Sequence, residues 1–238
     1  MKRVSLSIRS QAMPRRLARG AGLLLLTGSA LSAYAAPISV FATGVDASKL
    51  PLGGGALDPH WTLVAGPGVT MPSNAVIVSN QHPVGQYYAT ADSAWIWADA
   101  AGTADVGVAY TFELKIDLTG LRASTAEISG FWGADNTGTI LLNGAALVGT
   151  GTFTLSTVTT DNFNIGHGFS ITGGFVSGIN LLDIQVVDAG NPGGLNVYGL
   201  TGSATPVPEP STLASLGAGL LALLAGGLRR RVSGGGSA

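Results

Sequence analysis

The chain has 238 residues, of which 46% are hydrophobic and only 11% charged, and it contains 36 glycines and no cysteine. The absence of cysteine excludes disulfides, thiolate metal sites and cysteine nucleophiles. Residues 36–206 contain twelve acidic residues and only three lysines or arginines, Lys49, Lys115 and Arg122. So acidic a segment argues against nucleic-acid binding, which needs basic surface to neutralise phosphates.

Residues 1–35 have the pattern of a secretory signal peptide. Six basic residues precede the apolar run AGLLLLTGSALSAYA, which ends in the small-x-small sequence Ala33-Tyr34-Ala35. A basic region, a short apolar core and a small-residue site in this order predict cleavage after Ala35, so that the mature chain begins at Ala36. The structural alternatives are a buried N-terminal helix and an uncleaved anchor.

Residues 36–203 predict an all-β domain. Apolar and polar residues alternate strictly in AYTFELKIDL at 109–118 and again in LLDIQVV at 181–187, as in strands with one buried face. Asn143-Gly144 is a strong hairpin signal. With several shorter strand candidates and no helical periodicity, we expect about ten strands in a jelly-roll-like two-sheet β-sandwich, flanked by an N-terminal signal helix and a C-terminal transmembrane helix.

Three motifs in this segment resemble the galactose-binding-like jelly roll. They are WGADN at 132–136, LNG at 142–144 and GINLL at 178–182, and the resemblance extends over roughly residues 105–202. It implies the sandwich fold, and more weakly it implies sugar binding.

An aromatic set forms the first candidate binding site. Sugar sites stack pyranose faces on aromatic rings and fix hydroxyls with acidic or imidazole side chains. Trp61, Trp95 and Trp97 could form such a platform, because Trp95 and Trp97 share a face of a strand. Asp58 and His60 could hold a hydroxyl or a metal. The alternatives are packing for the tryptophans and an Asp-Pro turn for Asp58, since two ligands are too few for a metal site.

Asp135 and Asn136 in GADNTG are the candidate metal ligands. Their side-chain oxygens could bind calcium, which jelly rolls of the resembled type often hold as a structural ion. The loop lacks the ordered ligand spacing of a helix–loop–helix calcium site, so an Asx turn between two strands is the alternative. No other cofactor is expected.

Catalytic patterns are missing from the sequence. Glu113 and Asp117 lie four residues apart on one strand, roughly 13 Å along it, which is too far for a glycosidase pair. No Gly-x-Ser-x-Gly, His-Glu-x-x-His or phosphate-loop motif occurs. We therefore expect a protein that is not an enzyme, although a hydrolase with dispersed residues stays open.

The C-terminal end carries a second targeting pattern. Residues 204–210 are a linker that ends in a Pro-Glu-Pro box, residues 211–228 carry no charge, and three arginines precede a flexible tail at 232–238. As a helix the uncharged run spans roughly 27 Å, the short end of a membrane span, and the arginines would stay in the cytoplasm. We predict a transmembrane helix with its arginine cluster over 211–231; the alternative is an amphipathic core helix. The signal residues are Val207, Pro208, Glu209, Pro210, Arg229, Arg230 and Arg231.

This order of box, apolar run and arginines resembles the PEP-CTERM sorting signal of Gram-negative bacteria. The resemblance implies that an exosortase recognises an inner-membrane-anchored precursor, cuts it near the box and passes it to the cell surface or extracellular matrix. Bacteria with this system typically make exopolysaccharide. The sequence therefore favours a non-catalytic surface or biofilm-matrix protein, with a module that binds exopolysaccharide as the second interpretation.

Overall fold

The computed structural model describes residues 34–79, 85, 87–207, 217–219 and 221. Within these ranges no helix combines the length and the apolar character needed to cross a membrane. The predicted signal helix lies outside the described residues, and so does nearly all of the predicted transmembrane helix over 211–231. The same is true of the Pro-Glu-Pro box and the three arginines.

The described residues are mostly β-strand. One helical turn, α1 (Asp161–Asn164), and a short 3-10 helix (Ala123–Thr125) interrupt the strands. The strands are β1 (Ala36–Pro37), β2 (Leu57–Ala65), β3 (Ser73–Ile77), β4 (Ile96–Trp97), β5 (Ala109–Asp117), β6 (Glu127–Asp135), β7 (Thr137–Leu142), β8 (Ala145–Ala146), β9 (Val148–Gly151), β10 (Thr154–Leu155), β11 (His167–Gly173), β12 (Ile179–Val187) and β13 (Gly194–Ala204).

The thirteen described strands are antiparallel and form one continuous hydrogen-bonded sheet, barrel- or sandwich-like in architecture. Its order is β10-β7-β12-β5-β2-β3-β4-β13-β6-β11-β9, with β1 on β13 and β8 on β7. The expectation of two separate sheets is corrected, because the two-residue strand β4 bridges the halves: Ile96 pairs with Ile77 of β3 and with Leu195 of β13.

Strand β5 shows why the sequence folds in this way. Its apolar positions are buried and its polar positions face outward, as the alternation predicts. The buried face meets the other half of the sheet through Trp97 of β4, whose ring lies 4.6 Å from that of Tyr110 and 5.5 Å from that of Phe112. Burying one such large side chain contributes about 1.5–3 kcal/mol.

The predicted Asn143-Gly144 hairpin is confirmed. Both residues have positive φ, 54° and 73°, as a type I′ turn requires, and the flanking residues Leu142 and Ala145 pair across it. The Asn143 side-chain oxygen accepts the Leu181 N–H at 3.0 Å, which ties the hairpin to β12.

The folded domain extends beyond its predicted end at residue 203. Strand β13 includes Ala204, the N–H of Arg122 donates to the carbonyl of Thr205 at 2.8 Å, and the N–H of Val207 donates to the carbonyl of Gly120 at 2.8 Å. The first half of the predicted linker, residues 204–207, is therefore held by backbone hydrogen bonds.

Candidate functional site

The three candidate tryptophans lie in the hydrophobic core. Their exposed fractions are 0% for Trp61, 1% for Trp95 and 0% for Trp97. Each indole N–H donates to a backbone carbonyl: Trp61 to Phe41 at 3.1 Å, Trp95 to Tyr88 at 2.9 Å and Trp97 to Thr103 at 2.8 Å. None of the three rings offers a face to solvent, so in this structure they pack the core instead of forming a stacking platform.

Asp58 and His60 do not converge on a common ligand position. The buried Asp58 carboxylate accepts the backbone N–H groups of Gly44 at 2.6 Å, His60 at 2.8 Å and Trp61 at 3.0 Å. Burial raises the pKa of Asp58, while these bonds act to lower it. The His60 ring stacks on Phe41 with centroids 3.6 Å apart. Asp58 thus organises the first residues of β2, where the register against β3 shifts, and ties them to Gly44.

Asp135 lies at the end of β6 and is 4% exposed. Its Oδ2 accepts the Tyr87 hydroxyl, and its Oδ1 has no hydrogen-bond partner among the described residues. The Tyr87 hydroxyl also lies 2.7 Å from the carbonyl oxygen of Pro192. Since a phenol has one proton, the two acceptors compete for it, and the ionised Asp135 carboxylate is short of donors.

Asp188 follows directly after β12 and is fully buried. Its Oδ1 accepts the Gly190 N–H at 3.1 Å, and its Oδ2 has no partner in the described part of the chain. Burial and, after it, the charge of Asp188 raise the pKa of Asp135 to about 6. We call Asp135 and Asp188 the carboxylate pair.

Asn136 holds the two members of the carboxylate pair together. Its side-chain oxygen accepts the Ala189 N–H at 2.6 Å, and its own N–H donates to the carbonyl of Val187 at 3.1 Å. Its carbonyl accepts the side-chain amide of Asn162 in α1. The turn after Asp135 is thereby fastened to the segment that carries Asp188. The side-chain oxygen predicted to bind calcium already has a backbone donor, so Asn136 positions its neighbours.

No group of three histidine, cysteine or acidic side chains is placed to hold a metal within the described ranges. The carboxylate pair has two members, and any further oxygen ligands must come from elsewhere. The sequence indicated Asp135 but did not connect it with Asp188 or Tyr87, because neither has a ligand-like spacing to GADNTG.

A second feature is an exposed aromatic pair, Phe131 of β6 and Tyr198 of β13. Phe131 is 45% exposed, and its ring stacks on that of Tyr198 at 5.2 Å with planes 17° apart. On the same outer face the hydroxyls of Ser129 and Thr201 lie 3.2 Å apart, beside a groove of about 130 Å³. The sequence did not single out this pair, since one exposed Phe within an alternating strand has no special signature.

The outer face of β5 and β12 carries two neighbouring acids. Glu113 and Asp183 are direct cross-strand partners, and burial, followed by the charge of Glu113, raises the pKa of Asp183. Further along the face is an open groove of about 270 Å³ lined by Thr139, Thr154 and Gln185 among others. The acids that approach each other are thus on adjacent strands, unlike Glu113 and Asp117.

The C-terminal tail begins where the domain ends. Val207 is exposed and bound to Gly120, and the box follows it at once. Residues 206–231 match the family model described as the PEP-CTERM protein-sorting motif. The tail is a PEP-CTERM motif. The motif supports exosortase-dependent sorting of an exported protein and implies a membrane-anchored precursor. The predicted PEP-CTERM sorting signal is thereby confirmed.

The PEP-CTERM match covers only the tail, and the other comparisons add little about the domain before it. No curated protein matches the chain. A solved structure described as the apo form of a cyclase from Fischerella sp. is 12% identical with a TM-score of 0.38, covering 75% of this chain and 100% of that one. So weak a likeness carries no argument about fold or activity. The galactose-binding-like resemblance is not confirmed.

Proposed function

We propose that the chain is a non-catalytic protein of the cell surface or extracellular matrix of a Gram-negative bacterium, delivered there by an exosortase. The observation that carries the proposal is the PEP-CTERM motif at 206–231, directly after a β-rich domain whose last described hydrogen bond is made by Val207. The domain is then the cargo, and the tail directs its delivery.

The use of the candidate chemical residues supports a non-catalytic cargo. The three tryptophans pack in the core, and the Asp58 carboxylate accepts hydrogen bonds from three backbone N–H groups. A stable acidic β-domain without cysteine suits an exported protein that must keep its fold through packing alone.

Processing of the tail tests this proposal. The full chain is expressed in a PEP-CTERM host with and without its exosortase, and its mass and location are measured. With the enzyme, the wild type should lose its tail and leave the inner membrane. Replacing Pro208, Glu209 and Pro210 together by alanine should leave a full-length membrane precursor.

Deletion of residues 232–238, which lie beyond the matched motif, is the control and should leave processing unchanged. The sorting proposal is contradicted if the alanine variant is cut and localised like the wild type, or if the wild type is processed equally without exosortase.

Carbohydrate binding is the second candidate, and we propose the exposed aromatic pair as its site. Phe131 presents ring surface to solvent and Tyr198 is partly exposed, on the same outer face as hydroxyl groups and the Glu127 carboxylate, which accepts the Ser170 hydroxyl at 2.9 Å. Ring stacking combined with polar groups is how proteins recognise sugar rings. Exopolysaccharide would be the natural ligand in the extracellular matrix.

A glycan array, followed by affinity measurements on Phe131→Ala and Tyr198→Ala, tests this candidate. Both variants should bind at least about tenfold more weakly, since a lost stacking contact of about 1.4 kcal/mol corresponds to that factor. Met71→Ala removes a side chain that is 76% exposed elsewhere and should bind normally. Equal binding by all four proteins, or no binding to any glycan, would rule the candidate out.

A further inference from the structure

We propose that the carboxylate pair, Asp135 and Asp188, is a binding site for a hard divalent cation of the Ca²⁺ type. Both side chains are more than nine-tenths buried, and each has one oxygen atom, Oδ1 of Asp135 and Oδ2 of Asp188, without a hydrogen-bond partner among the described residues. The site is independent of the sorting tail and of the sugar-binding candidate.

The sheet register brings the two acids to the same end of the domain. Thr137, two residues after Asp135, is the Cα partner of Val187, the residue before Asp188. The Asn136–Ala189 hydrogen bond closes the same corner. Fifty-three positions of sequence separate the members of the pair, yet they sit at adjacent strand ends.

Two buried carboxylates need a compensating positive charge, because an unpaired buried ion costs several kcal/mol. The basic side chains within the described residues do not supply it. Lys115 pairs with Leu181, six residues from Val187, about 20 Å along β12. Arg122 binds Thr205, at the other end of β13 from Gly194, the partner of Asp135.

Lys49, the third lysine or arginine among the described residues, is placed over the Phe41 ring, 5.6 Å from its centroid. Among the described residues, then, no lysine or arginine compensates the charge at this corner, and we assign that role to a bound cation. At neutral pH a divalent cation neutralises both carboxylates at once. Protons could do so only if both carboxyl groups stayed protonated at a pH well above the usual pKa of an aspartate.

The free oxygens are pre-organised for a ligand. The second oxygen of each carboxylate is already fixed, that of Asp135 by Tyr87 and that of Asp188 by Gly190. One oxygen from each side chain is thus left to bind in a defined position. Ca²⁺ binds carboxylate oxygens together with carbonyl and water oxygens in a flexible geometry. A site with only two carboxylates can therefore complete the coordination with carbonyls and water.

Binding would fasten three segments to each other: the turn after β6, the segment after β12 and the residues around Tyr87. A cation that binds only the folded chain stabilises it in proportion to the logarithm of its concentration above Kd. The site therefore acts as a calcium-dependent brace for an exported domain that has no disulfides.

The test uses the full chain, stripped with EDTA and titrated with CaCl₂ while the thermal unfolding midpoint is recorded. Tb³⁺, a luminescent substitute for Ca²⁺, provides a second readout, because Tyr87 contacts Asp135 and lies 4.5 Å from the Trp95 ring and both can sensitise its emission. The midpoint should rise by several degrees in millimolar Ca²⁺, and Ca²⁺ should displace Tb³⁺.

Asp135→Asn and Asp188→Asn should each weaken Ca²⁺ and Tb³⁺ binding at least tenfold while the protein stays folded, because asparagine keeps the shape and removes a buried charge. Asp117→Asn is the matched control: Asp117 also accepts an N–H two residues on, from Thr119 at 2.8 Å, but it is exposed. A wild type that neither gains stability with Ca²⁺ nor sensitises Tb³⁺, or variants that respond like it, would overturn the site.

Discussion

Ala36, the first residue of β1, pairs with Ala204, the last residue of β13. The residue predicted to begin the mature chain therefore lies beside a residue two positions before the matched sorting motif. The first and last strands of the folded domain are thus paired with each other. Removal of the signal peptide and of the tail then trims the domain at one place and leaves its sheet intact.

A truncation series tests where the domain ends. A chain of residues 36–207 should unfold at the same urea concentration as 36–238, whereas 36–202 should be less stable by about 2–4 kcal/mol. The shorter chain loses the hydrogen bonds of Thr205 and Val207 and the Ala204 pairing, each worth about 0.5–1.5 kcal/mol. Equal midpoints for all three chains would show that residues 203–207 do not belong to the fold.

Gly193 is required where the backbone passes Trp97. A Cβ atom added at Gly193 would overlap the six-membered ring of that indole, whereas one added at Gly190 would meet nothing within 4 Å. Gly193→Ala should lower the free energy of unfolding by about 1–3 kcal/mol through overpacking, and Gly190→Ala should leave it nearly unchanged. Urea denaturation of both variants decides this, and the packing account fails if the two are equally stable.

Substitution by alanine should destabilise the protein far more at Trp97 than at Phe131. Trp97→Ala removes a fully buried ring and an indole hydrogen bond, so we expect a loss of about 3–5 kcal/mol in unfolding free energy. Phe131→Ala removes a half-exposed ring and should cost about 1 kcal/mol or less. Similar costs measured by denaturant unfolding would contradict the assignment of Trp97 to the core and Phe131 to the surface.

The sequence predicted the long strands and the hairpin because their signals are local. The alternating segments AYTFELKIDL and LLDIQVV form β5 and β12, and Asn143-Gly144 forms the turn between β7 and β8. A short strand around Trp95 and Trp97 was expected, but its pairing with both β3 and β13 was not predictable, since the sequence of a short strand does not specify its partners. Its pairing depends on Trp97 packing against residues far along the chain.

Only some residues of the candidate sites could be predicted from the sequence. Trp95 and Trp97 sit two residues apart, and that spacing does not reveal whether their shared face is buried or exposed. Asp135 stood out within GADNTG, but its partner Asp188 is brought to it only by the register of β7 on β12. Long-range register is a tertiary property, so a metal site assembled by it leaves no spacing motif.

The pH dependence of stability reports on Asp135 in the absence of metal. Burial, reinforced by the charge of Asp188, raises its pKa from 3.8 to about 6, against the opposing bond from Tyr87. A carboxyl group with a folded pKa above its unfolded value adds stability below the unfolded pKa, and this contribution is lost as pH rises through the folded pKa. In EDTA the wild type should therefore lose stability between about pH 4 and pH 7 relative to Asp135→Asn, which lacks the titrating group.

Urea midpoints of both proteins at half-unit pH steps measure this difference in stability, whose slope against pH should change near pH 6. Saturating Ca²⁺ should remove the loss, because the cation binds the ionised form. Parallel pH profiles for the two proteins in EDTA would contradict the raised pKa, and an unchanged wild-type profile in Ca²⁺ would contradict cation binding at the pair.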